Sequence, residues 1–294
     1  MNTRTLLNLV LVAIALLLGW VVFYKPGIPP EPPSSPLTPL DPEHIQAIHI
    51  AHKFREEIQL ERKEGKWFIT APIQAPAKES MVETLLGIAQ TPSLSRYPMQ
   101  DLDLANLGLE PPEARLSLDD VAIAFGTIEP LNQRRYALRE DTIHLIGNDA
   151  FQTVASSTAS FVDPALLPGN HPITQIRLPQ VTDYGGNPKV SPKGIITLRR
   201  NQDGWIAEGT NGEVTSEAIA KLVEAWQQHT AQQVKLKRDR ATLTTIEIQR
   251  EGAPPIYFDL QASLPRLILV RSDLGVQYHL PPPAWNTLFQ LPQK

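Results

Sequence analysis

Four groups of side chains in this 294-residue chain are candidates for binding or catalysis. Lys235-Leu-Lys-Arg-Asp-Arg240 is the dense basic run. Lys235, Lys237, Arg238 and Arg240 could meet an anionic partner or lipid headgroups, at up to about 1 kcal/mol per basic residue near a charged surface. The plainer reading is a solvated connector between a helix and the strand 244–249. His44, His49 and His52 invite a metal, but on a strand positions 49 and 52 point to opposite faces, and His44 sits among prolines. Trp67 and Trp205 could each stack a sugar or a peptide; a ring packed into the core beneath a helix is the competing role. Asp119-Asp120 could be a carboxylate dyad but reads as a turn between strands. No G-x-S-x-G, S-x-x-K, H-E-x-x-H, G-x-x-x-x-G-K-[ST] or G-x-G-x-x-G occurs, so no catalytic residue, metal or cofactor is assigned.

Composition narrows the classes further. The chain has no Cys, which removes disulfides, thiolate metal sites, Cys nucleophiles and lipid-modified cysteines. Its net charge of −4 argues against nucleic acid as a partner. Residues 5–24 carry no charged side chain and are mostly Leu, Val, Ile and Ala. About 20 such residues span a hydrocarbon core of about 30 Å, so residues 1–24 predict an uncleaved transmembrane signal anchor. Arg4 on one flank, with only Lys25 on the other before Lys53, places the N-terminus in the cytoplasm. The rest is then periplasmic, beyond a bacterial inner membrane crossed once. Residues 25–44 hold eight prolines and read as an extended stalk. The alternative is a P-x-x-P ligand at Pro29–Pro36.

An internal repeat organises the remainder. Ile58-Gln-Leu-Glu-Arg-Lys-Glu-Gly-Lys-Trp67 aligns with Ile196-Thr-Leu-Arg-Arg-Asn-Gln-Asp-Gly-Trp205, and each copy reads as a β-hairpin closing at Gly65 or Gly204. Met81, Leu85 and Ile88 then match Ile219, Val223 and Trp226 on one helix face, with Thr215 or Ser216 as N-cap of the second. Short strands precede each hairpin at 45–50 and 173–178. Strand–turn–strand patterns follow at 134–145 and 267–280. The expectation is two α+β repeats, 45–170 and 171–294, built on mainly antiparallel sheets. The first carries 11 basic and 17 acidic side chains, the second 14 and 11.

Asp101-Leu-Asp-Leu-Ala-Asn-Leu-Gly108-Leu109-Glu-Pro111 has a mechanical reading. Asp103 caps one helical turn, Gly108 ends it in the left-handed conformation, Leu109 packs back, and Pro111 stops continuation. This segment, the run Ile58–Trp67 with Ala71-Pro72, and the glycine-closed strand at Gly126 before Tyr136 together resemble the bacterial domain-of-unknown-function family numbered 4340. The resemblance covers residues 45–165, and the second half only through the repeat. It implies a membrane-anchored protein with an accessory role beside ABC-transporter components of the gliding-motility type. It brings no activity to any residue. The expected function is therefore a tethered periplasmic accessory protein that binds an envelope or ABC-transporter partner. The alternative is an envelope enzyme such as a glycan hydrolase, with carboxylates meeting between the repeats.

Overall fold

The computed structural model describes residues 3–24, 35–182, 189–263 and 266–291. Its backbone contacts divide the chain into Met1–Ser35 and Pro36–Lys294. In the first unit, helix α1 runs Thr3–Tyr24. Side chains are described on it only for Leu9 and residues 11–20. Among the described residues no helix is long and apolar enough to cross a membrane. Residues 25–34, half of the expected stalk, lie outside the described residues.

The second unit begins earlier than the proline pattern suggests. Leu37 and Thr38 are buried, and their amides donate to Thr91 O and Ala89 O at 2.9 and 3.0 Å. Arg139 Nη1 donates to Leu37 O at 2.7 Å. Prolines flank this pair, but Leu37 and Thr38 keep their N–H groups and an apolar side chain to bury, so they join the fold ahead of Ile45.

The fold is mostly β, 45% strand and 23% helix, with antiparallel sheets. The first repeat supplies β1 (Ala47–His52), β2 (Ile58–Lys63), β3 (Lys66–Ala71), α2 (Glu79–Gly87), β4 (Ser95–Pro98), β5 (Ala114–Leu118), β6 (Val121–Ile128), β7 (Arg135–Arg139), β8 (Thr142–Ile146) and α3 (Asp149–Val154). The second supplies β9 (Ile173–Thr182), β10 (Lys189–Asn201), β11 (Gly204–Glu208), α4 (Ser216–Gln228), β12 (Gln233–Leu236), β13 (Thr244–Arg250), β14 (Ala253–Ser263), β15 (Arg266–Arg271), β16 (Val276–Leu280) and α5 (Ala284–Phe289). The sheet orders are 3-2-1-5-6-7-8-4 and 11-10-9-13-14-15-16-12, with the short strand Ala75–Pro76 added beside β3 in the first. Strand for strand the two topologies are the same.

Alternation explains which face is inside. Ile48 and Ile50 on β1, Ile58 and Leu60 on β2, and Leu116 and Leu118 on β5 are at most 1% exposed, while their neighbours face out. α4 starts at Thr215, whose Oγ1 accepts from Ala218 N at 3.2 Å, and it buries Ile219, Leu222, Val223 and Trp226. The Trp226 indole donates to Leu288 O at 2.8 Å and packs 5.9 Å from both Phe258 and Phe289. One hydrophobic core runs through both repeats.

The outer face of each sheet is crossed by the chain that returns from its edge strand. In the first repeat residues 99–113 lie over β6, and Thr127 N donates to Leu107 O at 2.8 Å. Leu109 packs there with Ala124 and Ile143 in a separate apolar cluster. In the second, residues 237–243 make the same crossing with the basic run. Lys237 N donates to Gly275 O at 2.8 Å, and Gln261 Nε2 to Arg240 O at 3.2 Å.

Candidate functional site

The two sheets are stapled by residues 161–166, which leave a 3-10 turn at Phe161 and run extended from Val162. On one side Val162 pairs antiparallel with Ala77, Lys78 N donates to Phe161 O at 2.6 Å, and Asp163 N donates to Pro76 O at 2.9 Å. On the other, Ala165 pairs with Thr230, Leu166 N donates to His229 O at 3.1 Å, and Ala231 N to Pro164 O at 2.8 Å. Side chains alternate along such a segment. It therefore has a cleft on each side, one reached by Val162 and Pro164, the other by Asp163.

The first cleft, about 680 Å³, lies between β12 and residues 156–164. Lys78, Lys235 and Arg238 line it, with the hydroxyls of Ser156, Ser157 and Ser160. No Asp or Glu is among its wall residues, although acids outnumber bases in the chain as a whole. Ser157 and Ser160 sit Oγ to Oγ at 3.1 Å. The positive field extends to His279 beside β12. Burial first, then the charges of Lys235, Arg266, Arg240 and Arg238, holds that imidazole below its ordinary range. Such a wall accepts anions; it offers neither a carboxylate base nor a metal-ligand set.

The second cleft, about 770 Å³, is different. Trp67 lines it together with Glu64, Glu79 and Asp163, and with Lys66 and His171. Trp67 is half-buried, packed on the core on one side and open to this cleft on the other. The expected choice between core ring and stacking platform thus has no single answer here. Trp205, at the equivalent place, is also half-buried, and its amide donates to Ser216 Oγ at 2.9 Å.

The remaining sequence candidates are placed as follows. Of the basic run, Lys235 and Arg238 reach the first cleft, while Lys237 and Arg240 lie on the crossing over the second sheet. The run begins on a strand, since Gln233–Leu236 pairs with β16, where the sequence suggested only a connector. Gly108 has φ +66°, and a Cβ there would stand 2.6 Å from Thr127 Cγ2. Asp103 Oδ1 accepts from Ala105 N at 3.0 Å, and Leu109 N donates to Leu104 O at 2.9 Å. The Glu110–Pro111 peptide is cis. His44 and His49 bond Asp41 and Glu57, each at 2.9 Å, and His52 bonds Val154 O at 2.7 Å. Among the described residues no group of His, Asp and Glu is arranged to hold a metal. Asp119 has φ +50°, and its Oδ1 accepts from Gln46 N and Ala47 N at 3.0 and 2.9 Å.

Lys78 is the charged cleft residue that sequence reasoning passed over, as it did Ser156, Ser157 and Ser160. Lys78 occupies the N-cap of α2 and makes no side-chain cap bond. A cation at a helix N-terminus opposes the helix dipole, and the second repeat has Thr215 at that place. That mismatch between copies was the available signal.

Neither the curated proteins nor the solved structures compared with the chain yield a match. A family model does match, over residues 67–247, which is more than half of the chain and takes in both walls of the first cleft. On that match the chain belongs to the family described as a domain of unknown function, DUF4340.

Proposed function

We propose that this is a membrane-tethered accessory protein whose inter-repeat cleft binds an anionic partner. The observation that carries the reading is the first cleft: three cationic side chains and three serine hydroxyls, with no carboxylate in the wall. Charge complementarity of this kind steers and orients a partner more than it sets raw affinity. The apolar, uncharged run at residues 5–24 supports the tether, and the flanking charges support a periplasmic placement. The link to an ABC-transporter-type envelope complex rests on the family resemblance alone. In-cell crosslinking of the full chain, with mass spectrometry of what is captured, tests the reading. Reversing Lys78, Lys235 and Arg238 to Glu should cut capture at least tenfold while the protein stays folded. Undiminished capture by the triple variant would sink the cleft as the binding site.

A second reading has its own observation. Trp67 beside Glu64, Glu79 and Asp163 in the second cleft matches the aromatic-plus-carboxylate composition of a glycan-hydrolase site. Release of reducing sugar from cell-envelope glycan, lost in Glu79→Gln and Asp163→Asn, would favour it over the accessory role.

A further inference from the structure

Segment 161–166 occupies the strand position beside residues 229–231 and then leaves it. Ala165 pairs with Thr230, but from Asp163 back toward Phe161 the chain is bonded to residues 76–78 of the other repeat. β12 therefore continues as the last strand of its sheet; the turn Thr158–Phe161 packs beside it, and its outer edge lines the first cleft between them. Its register is Gln233↔His279, Lys235↔Gln277 and Leu236↔Val276, and Lys237 N bonds Gly275 O. In an antiparallel ladder the bonding groups alternate sides. Those of residues 233, 235 and 237 point to β16, so the N–H and C=O groups of Val234 and Leu236 point into the cleft. An open edge of this kind is a template for another strand. The equivalent edge in the first repeat, β4, ends in Pro98, which has no N–H to offer. One copy is blunted by proline, and the other keeps Leu236 with its N–H at that place.

We propose that β12 is a docking edge for an extended acidic segment of a partner protein, which adds as a further strand inside the cleft. This rests on the reading of the cleft as the binding site and names what binds there. The four-residue strand measures about 14 Å at about 3.4 Å per residue, room for two outward donors and two outward acceptors. Main-chain bonds to Val234 and Leu236 would hold such a segment, and Lys78, Lys235 and Arg238 would select acidic side chains. A lipid headgroup or a free anion would use the charges but not the strand edge.

The test uses the folded chain and a fluorescein-labelled peptide of about eight residues alternating Glu and Val, read by fluorescence anisotropy. Leu236→Pro removes an outward N–H, keeps every charge and leaves the bonds to β16 in place. It should weaken binding about tenfold, as should Lys235→Glu with Arg238→Glu. A probe that does not depend on the variant's folding is the peptide N-methylated at alternate residues. Methylation in one phase should abolish binding, and in the other phase leave it intact. If both methylated peptides and Leu236→Pro bind as the parents do while charge reversal abolishes binding, the cleft is an anion site and strand addition is wrong. If charge reversal also has no effect, or anionic phosphatidylglycerol vesicles bind through the cleft and the peptide does not, strand addition fails, and in the first case the reading of the cleft fails with it.

Discussion

His144 shows how far a residue can look chemical without being so. It is buried on β8, with Nδ1 2.8 Å from Ser93 Oγ, a Ser–His contact that suggests a nucleophile and base. Ser93 is itself buried, and the third group at the pair is Arg96, whose Nε donates to Ser93 Oγ at 3.3 Å. A cation there opposes the imidazolium that base catalysis would form. Burial first, then the charges on Arg139 and Arg96, pushes His144 down to about 4. The unfolded imidazole titrates near 6.5. As pH falls, the unfolded chain therefore takes up this proton first. The stability contributed by the neutral ring is complete above about pH 6.5 and is lost as pH falls toward 4. A shift of this size corresponds to roughly 3 kcal/mol. Urea unfolding between pH 7 and pH 4 should show a loss to which His144 contributes up to about that size. His229 and His279, whose imidazoles burial also holds down, add to it, and His144→Gln should remove its share and partly flatten the profile. An unflattened profile in the variant would assign the proton elsewhere.

At the scale of elements, the two crossings separate the repeats most clearly. Residues 99–113 hold to their sheet through Leu109, 4% exposed against Ala124 and Ile143. Gly126 lets them approach, because a Cβ there would collide with Leu107 O. Leu109→Ala should cost about 2–4 kcal/mol. Hydrogen exchange should speed up in residues 99–113 and β6 while β1–β3 stay protected; uniform acceleration would mean that the crossing is not a separate unit. What the sequence disclosed about these elements follows from range. The hairpins Ile58–Trp67 and Ile196–Trp205 are local patterns and lie where the spacing put them, as do Ile219, Val223 and Trp226 on α4. On α2 the buried pair is Val82 and Leu85, while Met81 is half-buried and Ile88 falls in the 3-10 turn after the helix. The turn around Gly108 was legible too, but not its partners, since Ala124 and Ile143 come from distant strands. Leu37 was hidden among prolines, and Lys78 looked like an ordinary surface lysine. β12 was missed for the opposite reason. Four residues, Gln-Val-Lys-Leu, give too short an alternation to distinguish from the charged run that follows. The clefts depend on where segment 161–166 bonds, and no local pattern encodes that.

At the scale of residues 36–294 the duplicated topology raises the question of whether the repeats are two domains or one. Each repeat has its own sheet, and the sheets share no ladder. Against independence stand the continuous core and the staple. Phe161, Val162, Leu166 and Leu167 are all buried in that core, between bonds to residues 76–78 on one side and 229–231 on the other. Main-chain bonds at both edges of one short segment leave little room for a hinge. The first cleft also has a wall from each repeat, Lys78 from one and Lys235 and Arg238 from the other, so its shape depends on both being folded together. Unfolding should then be a single transition. Leu198→Ala lies wholly in the second repeat at a fully buried position and should cost about 3 kcal/mol. That lowers the melting temperature by roughly 6–12 °C for a unit of this size. Fluorine-labelled tryptophan separates the repeats, because Trp67 reports on the first and Trp285 on the second. Both signals should move by the same amount in Leu198→Ala, and again in the first-repeat variant Ile48→Ala. If Trp67 holds its parental melting point while Trp285 falls, the repeats are autonomous. The cleft between them would then be a mobile joint and no longer a preformed edge for a partner strand.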